Sequence, residues 1–233
     1  MNKENLLQKI KQTYPQFENF RDISLIPNIL SDKKKIMDNL IFRSSSLAKY
    51  KVNLISSFLK KKDIKWILDL RDEREFAMYE FDENLEYPNF FSNNFVRNIP
   101  MNPNISLELD DDDYFRELYH VILKKYIAQI KRVFEYIARA AEERVIIHCQ
   151  AGVDRTGIIT GLLLDLLGVK REYILTDYEL SEHYSLDRSN LQFLFDVIDH
   201  EYGGIKNYLC DYCQISFKLL EQVKNQFLLS EKS

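Results

Sequence analysis

The chain has 233 residues, of which 45% are hydrophobic and 29% are charged, and its formal net charge is -4. A chain of this length can bury one sizeable core, and no Pro-, Gly- or Ser-rich stretch divides it. We therefore predict a single domain over residues 1–233, in which residues 1–16 form an N-terminal helical extension. The acidic balance excludes a global basic field that would attract nucleic acid or an anionic membrane.

The first predicted element is a helix over residues 4–12, whose apolar side chains have helical spacing. The N-terminal stretch has no apolar signal-peptide core, and no apolar run reaches the roughly 20 residues of a membrane span. Three cysteines are too few for a disulfide framework, which is typical of a reducing compartment. We predict a cytoplasmic protein without a membrane span, while secretion by a route that needs no such signal stays open.

Strand and helix patterns then alternate along the chain. Residues 39–43 and the continuous apolar run 65–70 indicate strands, and residues 52–62 have the pattern of an amphipathic helix. Asp72 and Glu75 have the spacing of a helix N-cap pair, so a helix is expected directly after the second strand.

The second half of the chain contains most of the helical patterns. Segment 88–101 is ambiguous between strand and loop, residues 113–142 contain two helix-like patterns, and residues 144–149 indicate a second buried strand. Helices are predicted over residues 156–228, with breaks at Gly168, near Asp187 and at Gly203 and Gly204. This order of strands feeding helices predicts an α/β fold.

One loop, residues 149–155, joins the second buried strand to the next helix. Ligands of α/β sheets bind beyond the carboxyl ends of strands, and backbone N–H groups curled around a glycine would face a bound phosphate there. The following helix adds its positive N-terminal end, and glycines at 157 and 161 are expected to let it pack closely on the sheet. The predicted phosphate-binding residues are Gln150, Ala151, Gly152, Val153, Asp154 and Arg155.

The side chains of this loop predict covalent phosphoryl transfer. A helix N-terminus and a nearby guanidinium favour the thiolate of Cys149, which is the nucleophilic form. Arg155 can hold two phosphoryl oxygens with its planar fork, and Thr156 offers a hydroxyl to the departing sulfur. We predict a cysteinyl-phosphate intermediate that water hydrolyses in a second step, with no metal or cofactor.

The segment HCQAGVDRTG, residues 148–157, resembles the HCx5R signature loop of cysteine-dependent protein tyrosine phosphatases, in particular the bacterial family whose loop is HCxAGxDRTG. The resemblance extends from about residue 17 to the C-terminus. It implies a four- or five-stranded, mainly parallel sheet flanked by helices, and hydrolysis of phosphotyrosine, with phosphoserine, phosphothreonine or phosphoinositides as further substrates in some members. Other segments that resemble this family are NFRDIS (19–24), IFRSSSL (41–47), ILDLRDERE (67–75), TDYELSEHY (176–184) and YGGIKNYL (202–209).

The expected partner is a phosphorylated protein or a small phosphate monoester. Family members that act on phosphoinositides typically have Lys where this chain has Val153, so a cation at the site entrance is missing and a protein substrate is favoured. Phosphatases of inositol polyphosphates, with an AGVGRT loop, lack an aspartate at the position of Asp154.

The alternatives are a phosphoinositide or inositol polyphosphate phosphatase, and a catalytically weak module that binds phosphoproteins. The sequence does not determine the oligomeric state.

The general acid has two candidates. Asp154 lies in the loop and the family pattern favours it, whereas the run Asp110–Asp113 is predicted in a loop where many tyrosine phosphatases keep a mobile acid. That run can equally be a solvated turn that caps the next helix. His148 is expected to support the loop rather than to transfer protons.

Several other polar residues are predicted to have structural roles. The pairs Asp69–Arg71 and Arg21–Asp22 are expected to be ion pairs near the site. Cys210 and Cys213 have the spacing of a metal-binding pair, but no second pair accompanies them, so no metal site is predicted.

Overall fold

The fold is built on a single mainly parallel sheet. The computed structural model describes residues 2–13, 17–31, 36–75, 95–105, 111–181 and 187–229. Within these ranges, five strands pair in the order β1-β2-β5-β3-β4, with β1 antiparallel to β2 and every other pair parallel. This confirms the predicted α/β fold. The strands are β1 (Arg21–Asp22), β2 (Ile41–Ser44), β3 (Ile64–Asp69), β4 (Phe95–Asn98) and β5 (Arg144–His148).

The central strands are apolar on both sides because helices cover both faces of the sheet. Ile146 and its neighbour Ile67 on β3 are fully buried in one cluster, together with side chains of the helix at residues 52–61. The next residue, Ile147, points to the opposite face and is fully buried in a larger cluster built mainly from C-terminal helices. The continuous apolar runs of β3 and β5 are therefore the pattern of strands buried on both faces.

The predicted helices occur close to their expected bounds. A 3-10 turn, Leu47–Lys49, precedes the helix at residues 52–61, and a short helical segment, Ile205–Asn207, continues as a π-helical turn, Tyr208–Tyr212. The predicted breaks at Gly168, near Asp187 and at Gly203 and Gly204 are confirmed. Of the ambiguous segment 88–101, residues 95–98 form a strand, and residues 88–94 lie outside the described residues. The helices are α1 (Lys3–Thr13), α2 (Leu25–Leu30), α3 (Val52–Lys61), α4 (Asp111–Lys125), α5 (Ile127–Ala140), α6 (Asp154–Leu166), α7 (Arg171–Glu179), α8 (Arg188–Tyr202) and α9 (Phe217–Phe227).

Helix α6 is apolar nearly all round because other elements surround it. The expectation that Gly157 and Gly161 allow close packing on the sheet is wrong, since both glycines face mainly helices. A Cβ at Gly157 would lie 3.0 Å from the ring of Tyr178 on α7, and one at Gly161 would lie 3.6 Å from Leu191 and Phe195 on α8. The small residues thus bring two neighbouring helices close to the start of α6.

The N-terminal helix packs on the domain through two apolar side chains. Leu6 and Ile10 of α1 form a small buried cluster with Ile26 of α2 and Leu180. The single-domain organisation of residues 1–233 stays a prediction. Among the helices described here, none is both long and apolar enough to cross a bilayer.

Candidate active site

The loop between β5 and α6 lies at the carboxyl edge of the sheet. Cys149 follows directly after β5, and its residue is only 2% exposed. In the sheet register, His148 at the end of β5 pairs with Ser44 at the end of β2 and with Asp69 at the end of β3. The parallel strands therefore bring three polar strand ends together beside the loop, as expected for a ligand site in an α/β sheet.

The shape of the loop is fixed through its backbone carbonyls. Four consecutive carbonyl oxygens, of residues 150–153, each accept a hydrogen bond from a donor outside this segment. In a trans peptide, the N–H of each residue points away from the C=O of the residue before it. Because the carbonyls of residues 150–153 are held outward, the N–H groups of residues 151–154 turn towards the inside of the loop. The bonds run from Ser46 N to Gln150 O (3.1 Å), Asn19 Nδ2 to Ala151 O (2.9 Å), Arg43 Nη2 to Gly152 O (3.0 Å) and Gly157 N to Val153 O (2.6 Å).

Gly152 is required where the loop touches strand β2. Its φ is +72°, and a Cβ would lie 2.3 Å from the carbonyl oxygen of Ser44 and 2.5 Å from the amide nitrogen of Ser45. Both atoms belong to the backbone and cannot move aside cheaply, so no side chain fits at this position.

A buried cluster of two arginines and one aspartate supports the loop. Asp177 on α7 accepts hydrogen bonds from Arg21 Nε at 2.6 Å and from Arg43 Nη1 at 2.6 Å, and the second Arg43 nitrogen binds the loop. Burial would raise the pKa of Asp177, but the two guanidinium groups hold it below its ordinary value. Burial lowers the pKa of Arg43 to about 10. The cluster therefore keeps Arg43, which donates a hydrogen bond to the loop, charged and fixed in position.

The expected Arg21–Asp22 ion pair is therefore wrong, because Arg21 pairs with Asp177. Asp22 instead accepts hydrogen bonds from the backbone N–H groups of Ser24 (2.9 Å) and Asn39 (2.6 Å). Burial raises the pKa of Asp22 to about 6.

We expect Asp177→Asn to destabilise the protein by about 3–5 kcal/mol, because it leaves two buried guanidinium groups without a counter-charge. Urea unfolding monitored by circular dichroism measures this loss. The matched control is Asp199→Asn, which removes a half-exposed partner of Arg171 while Asp165 still binds that arginine. The control is expected to cost less than about 1 kcal/mol. Equal unfolding midpoints for the two variants would contradict the supporting role of Asp177.

Arg155 is oriented by Glu75 and by backbone carbonyls. Its Nη1 donates to Glu75 Oε2 at 2.6 Å and to the carbonyl oxygen of Met101 at 3.0 Å, and its Nη2 donates to Glu75 Oε1 at 2.5 Å. Burial lowers the pKa of Arg155, but Glu75 and attraction to the Cys149 sulfur raise it above its ordinary value. A guanidinium has five N–H donors, so the edge formed by Nε and the second Nη2 hydrogen can still meet a phosphate.

Glu75 is itself fixed by the predicted N-cap pair. Glu75 N donates to Asp72 Oδ1 at 2.9 Å, and Asp72 N donates to Glu75 Oε2 at 3.0 Å, which is a reciprocal capping arrangement. The N-cap prediction is confirmed through residue 75, and the residues that follow lie outside the described ranges. The same carboxylate that caps this turn therefore also orients Arg155.

Asp154 begins helix α6 and contacts two tyrosines from other helices. Its Oδ1 lies 3.2 Å from the hydroxyl of Tyr119 on α4 and 3.4 Å from the hydroxyl of Tyr178 on α7. The two hydroxyls are 2.6 Å apart. Burial raises the pKa of Asp154, while hydrogen bonds from the tyrosines and the charge of Arg155 oppose this rise.

A cysteine, an arginine and an aspartate are thus grouped around one loop whose N–H groups turn inward. The sequence profile described as the tyrosine phosphatase family matches residues 13–229. This chain belongs to the tyrosine phosphatase family. The resemblance of the signature loop to that of bacterial tyrosine phosphatases agrees with this result.

Individual relatives are similar over different parts of this family member. It is 54% identical over 56 residues to a tyrosine-protein phosphatase from Nostoc commune, and the matched stretch is 24% of this chain and 19% of that protein. The chain thus aligns with about a fifth of the length of that curated relative.

Two solved structures are also similar. The core catalytic domain of the PP-IP phosphatase SIW14 from S. cerevisiae is 20% identical, with a TM-score of 0.48; the match covers 76% of this chain and 91% of that one. TpbA from P. aeruginosa, in complex with phosphotyrosine, is 13% identical with a TM-score of 0.36; the match covers 80% of this chain and 85% of TpbA.

In this member of the tyrosine phosphatase family, His148 is buried behind the loop. Its Nε2 lies 3.6 Å from Asp69 Oδ2, and its Nδ1 lies 3.3 Å from the carbonyl oxygen of Cys149. Burial lowers the pKa of His148, although Asp69 opposes this effect. Asp69 also binds Arg71 at 2.7 Å in a fully buried ion pair, which confirms that predicted pair. A buried neutral imidazole in contact with Asp69 suits a supporting role.

Two loop side chains point into buried surroundings. The hydroxyl of Thr156 is buried and has no hydrogen-bond partner in the part of the chain described, and its bond to the departing Cys149 sulfur stays a prediction. Val153 is 1% exposed and packs in the larger core cluster, so the assumption that its side chain faces the site entrance is wrong.

The acidic run lies at the start of a helix. Residues 111–113 form the first turn of α4 rather than a loop, and Asp110 lies outside the described residues. Asp113 is six residues before Tyr119, which contacts Asp154, and this spacing corresponds to about 9 Å along the helix axis. Residues 111–113 are thus displaced along α4 from the place where this helix contacts Asp154.

Sequence reasoning missed the contacts by which distant segments hold the loop, Asp154 and Arg155. The residues that make these contacts are Asn19, Arg43, Ser46, Glu75, Tyr119, Asp177 and Tyr178. All except Tyr119 fall within the segments that resemble the phosphatase family, so that resemblance was the signal that could have found them.

Proposed function

We propose that this protein is a phosphatase that hydrolyses phosphate monoesters through a cysteinyl-phosphate intermediate. Phosphotyrosine on proteins is the main substrate, with phosphoserine and phosphothreonine as further substrates. The observation that carries the proposal is the loop 149–155, whose carbonyls 150–153 are all held outward while Cys149 lies at its start and Arg155 at its end. Membership of the tyrosine phosphatase family supports it.

In the first step, the sulfur of Cys149 attacks phosphorus in line with the leaving oxygen. The S–P bond forms while the P–O bond to the substrate breaks, and Asp154 gives its proton to the departing oxygen. The inward-turned N–H groups of residues 151–154 and the free edge of Arg155 bind the three non-bridging oxygens. Because charge spreads over these oxygens in the transition state, fixed donors around them lower the barrier.

In the second step, water attacks the phosphorus of the cysteinyl-phosphate. The carboxylate of Asp154 takes one proton from the water, the O–P bond forms and the S–P bond breaks. Inorganic phosphate leaves, Cys149 is again a thiolate and Asp154 is again protonated. Atoms and charges balance without a metal or a cofactor.

The preference for a protein substrate is supported by the Nostoc commune relative, which is a tyrosine-protein phosphatase. Val153 adds no cation to the loop, and its side chain packs in the larger core cluster. Because phosphoinositide-directed members of the family typically have Lys at this position, a contact to a multiply phosphorylated headgroup is missing here.

The deciding experiment is hydrolysis of p-nitrophenyl phosphate by the purified protein, followed by panels of phosphotyrosine, phosphoserine and phosphothreonine peptides and of phosphoinositides. Turnover that survives a chelator and is lost on thiol alkylation supports the proposal. Binding of a phosphotyrosine peptide without any turnover would instead identify a phosphoprotein-binding module. A preference for phosphoinositides would overturn the proposed substrate class.

We expect Asp154→Asn to slow hydrolysis of a phosphotyrosine peptide by about 100-fold or more, since general acid catalysis typically contributes that much. Activated p-nitrophenyl phosphate is expected to be affected far less, because its leaving oxygen departs without a proton. Steady-state rates on both substrates measure this difference. The comparison variant changes Asp111, Asp112 and Asp113 together to Asn and is expected to retain both rates. The reverse pattern would move the acid to that run.

A further inference from the structure

Among the described residues, the two side chains that donate hydrogen bonds to the acid of the proposed mechanism reach the same oxygen. Both tyrosine hydroxyls lie near Oδ1 of Asp154, at 3.2 Å for Tyr119 and 3.4 Å for Tyr178. We propose that Tyr119 and Tyr178 are positioning residues that make Oδ1 the hydrogen-bond acceptor and so leave Oδ2 to carry the catalytic proton. This inference rests on the proposed function of Asp154 as the acid and base.

The count of hydroxyl protons favours this arrangement. The two hydroxyls are 2.6 Å apart, so one of them donates to the other. The accepting hydroxyl has one proton left, and Asp154 Oδ1 is the acceptor that the described residues place within reach. The shorter distance from Tyr119 indicates a chain in which Tyr178 donates to Tyr119 and Tyr119 donates to Oδ1. A protonated carboxyl that accepts at Oδ1 carries its own proton on Oδ2.

Both tyrosines are fixed donors. Their side chains are fully buried, and burial and the nearby Asp154 charge raise the pKa of each phenol above its ordinary value, so they stay protonated at neutral pH. The ring of Tyr178 reaches this place because Gly157 has no side chain, since a Cβ there would lie 3.0 Å from the ring.

The same pair acts in both proposed steps. When Asp154 is an acid, the hydroxyl chain keeps the proton on the oxygen that faces away from the tyrosines. When Asp154 is a carboxylate, the chain donates to its negative charge. Within the described ranges, the charged and titratable groups that face Asp154 are Arg155 on its own helix, Tyr119 from α4 and Tyr178 from α7, with Arg43 of β2 acting on Tyr178.

The test compares Tyr119→Phe, Tyr178→Phe and the double variant with a matched control, Tyr208→Phe. Tyr208 is also fully buried, and its hydroxyl donates to the carbonyl oxygen of Leu123 at 2.9 Å, with no contact to Asp154 among the described residues. The measurement is the pH dependence of kcat/KM on a phosphotyrosine peptide, together with rates on p-nitrophenyl phosphate. Tungstate inhibition reports whether the anion loop is intact.

A donated hydrogen bond favours the charged carboxylate, so its loss raises the pKa of Asp154. Since the first step needs the protonated acid, the descending limb of kcat/KM is expected to move to higher pH, by about one unit in the double variant. The phosphotyrosine rate below this limb is expected to fall about tenfold, because the proton is no longer confined to Oδ2, with tungstate inhibition unchanged. Tyr208→Phe is expected to show the same descending limb of kcat/KM as the wild-type protein.

A second comparison separates positioning from a general structural effect. In the Asp154→Asn background, Tyr119→Phe is expected to cause no further loss on phosphotyrosine, because the group it positions is already absent. An unchanged pH limb in the double variant, equal losses on both substrates, or an additive loss in the Asp154→Asn background would each overturn the inference. If one single variant fails to fold, the other still tests the hydroxyl chain, because Tyr119→Phe removes the donor to Oδ1 and Tyr178→Phe removes the hydroxyl that orients this donor. Absence of wild-type turnover would instead refute the proposed function.

Discussion

Cys149→Ser is expected to abolish turnover while leaving phosphate-analogue binding intact. A serine hydroxyl is a poor nucleophile at neutral pH, so we expect a residual rate below about one percent of wild type, as when other covalent nucleophiles are removed. The loop is expected to keep its shape, because it is held by bonds to the carbonyls of residues 150–153 and not by the sulfur. Rates on p-nitrophenyl phosphate and calorimetric titration with tungstate measure the two effects.

The matched control for this variant is Cys213→Ser. Cys213 is as buried as Cys149 but lies after the π-helical turn at residues 208–212, and burial raises its pKa to about 12. The control is expected to retain turnover. Residual activity of Cys149→Ser above about one percent would rule out the cysteinyl-phosphate mechanism.

Arg155→Lys is expected to cost about 3 kcal/mol or more of transition-state stabilisation, similar to the loss of another fixed donor to a developing charge. Lysine keeps the positive charge, but its single ammonium group cannot bind both Glu75 oxygens and two phosphoryl oxygens. We therefore expect lower kcat and weaker binding of tungstate. Steady-state kinetics and tungstate inhibition measure the two losses separately.

Arg171→Lys is the control for that substitution. Arg171 also binds two carboxylates, Asp165 and Asp199, but it lies at the start of α7, and its hydrogen bonds within the described part of the chain do not reach the loop. The control is expected to keep the wild-type rate. A wild-type rate for Arg155→Lys would mean that Arg155 does not contact the phosphate.

The sequence predicted those structural elements that are determined by residues close together in the chain. The periodic apolar patterns of α3 and α5, the buried runs of β3 and β5 and the loop between β5 and α6 depend on neighbouring residues, and all occur near their expected bounds. The pairs Asp69–Arg71 and Asp72–Glu75 were also predictable because their partners are two and three residues apart.

Contacts between distant segments could not be predicted in this way. Arg21 was assigned to its neighbour Asp22, but its partner Asp177 is 156 positions along the chain. Glu75 was recognised as a helix cap, and its second role depends on Arg155, 80 positions away. Such pairs follow from the order of strands in the sheet and from helix packing, which no local spacing in a single sequence encodes.

Adjacent residues of one short helix, α7, serve two different parts of the site. Asp177 neutralises the arginine that holds the loop carbonyl of Gly152, and Tyr178 contacts the carboxyl of Asp154. In the proposed mechanism, a displacement of α7 would loosen the phosphate-binding loop and release Asp154, the proton donor, at the same time. An inhibitor that separates α7 from α6 would then weaken substrate binding and slow bond cleavage without occupying the phosphate site.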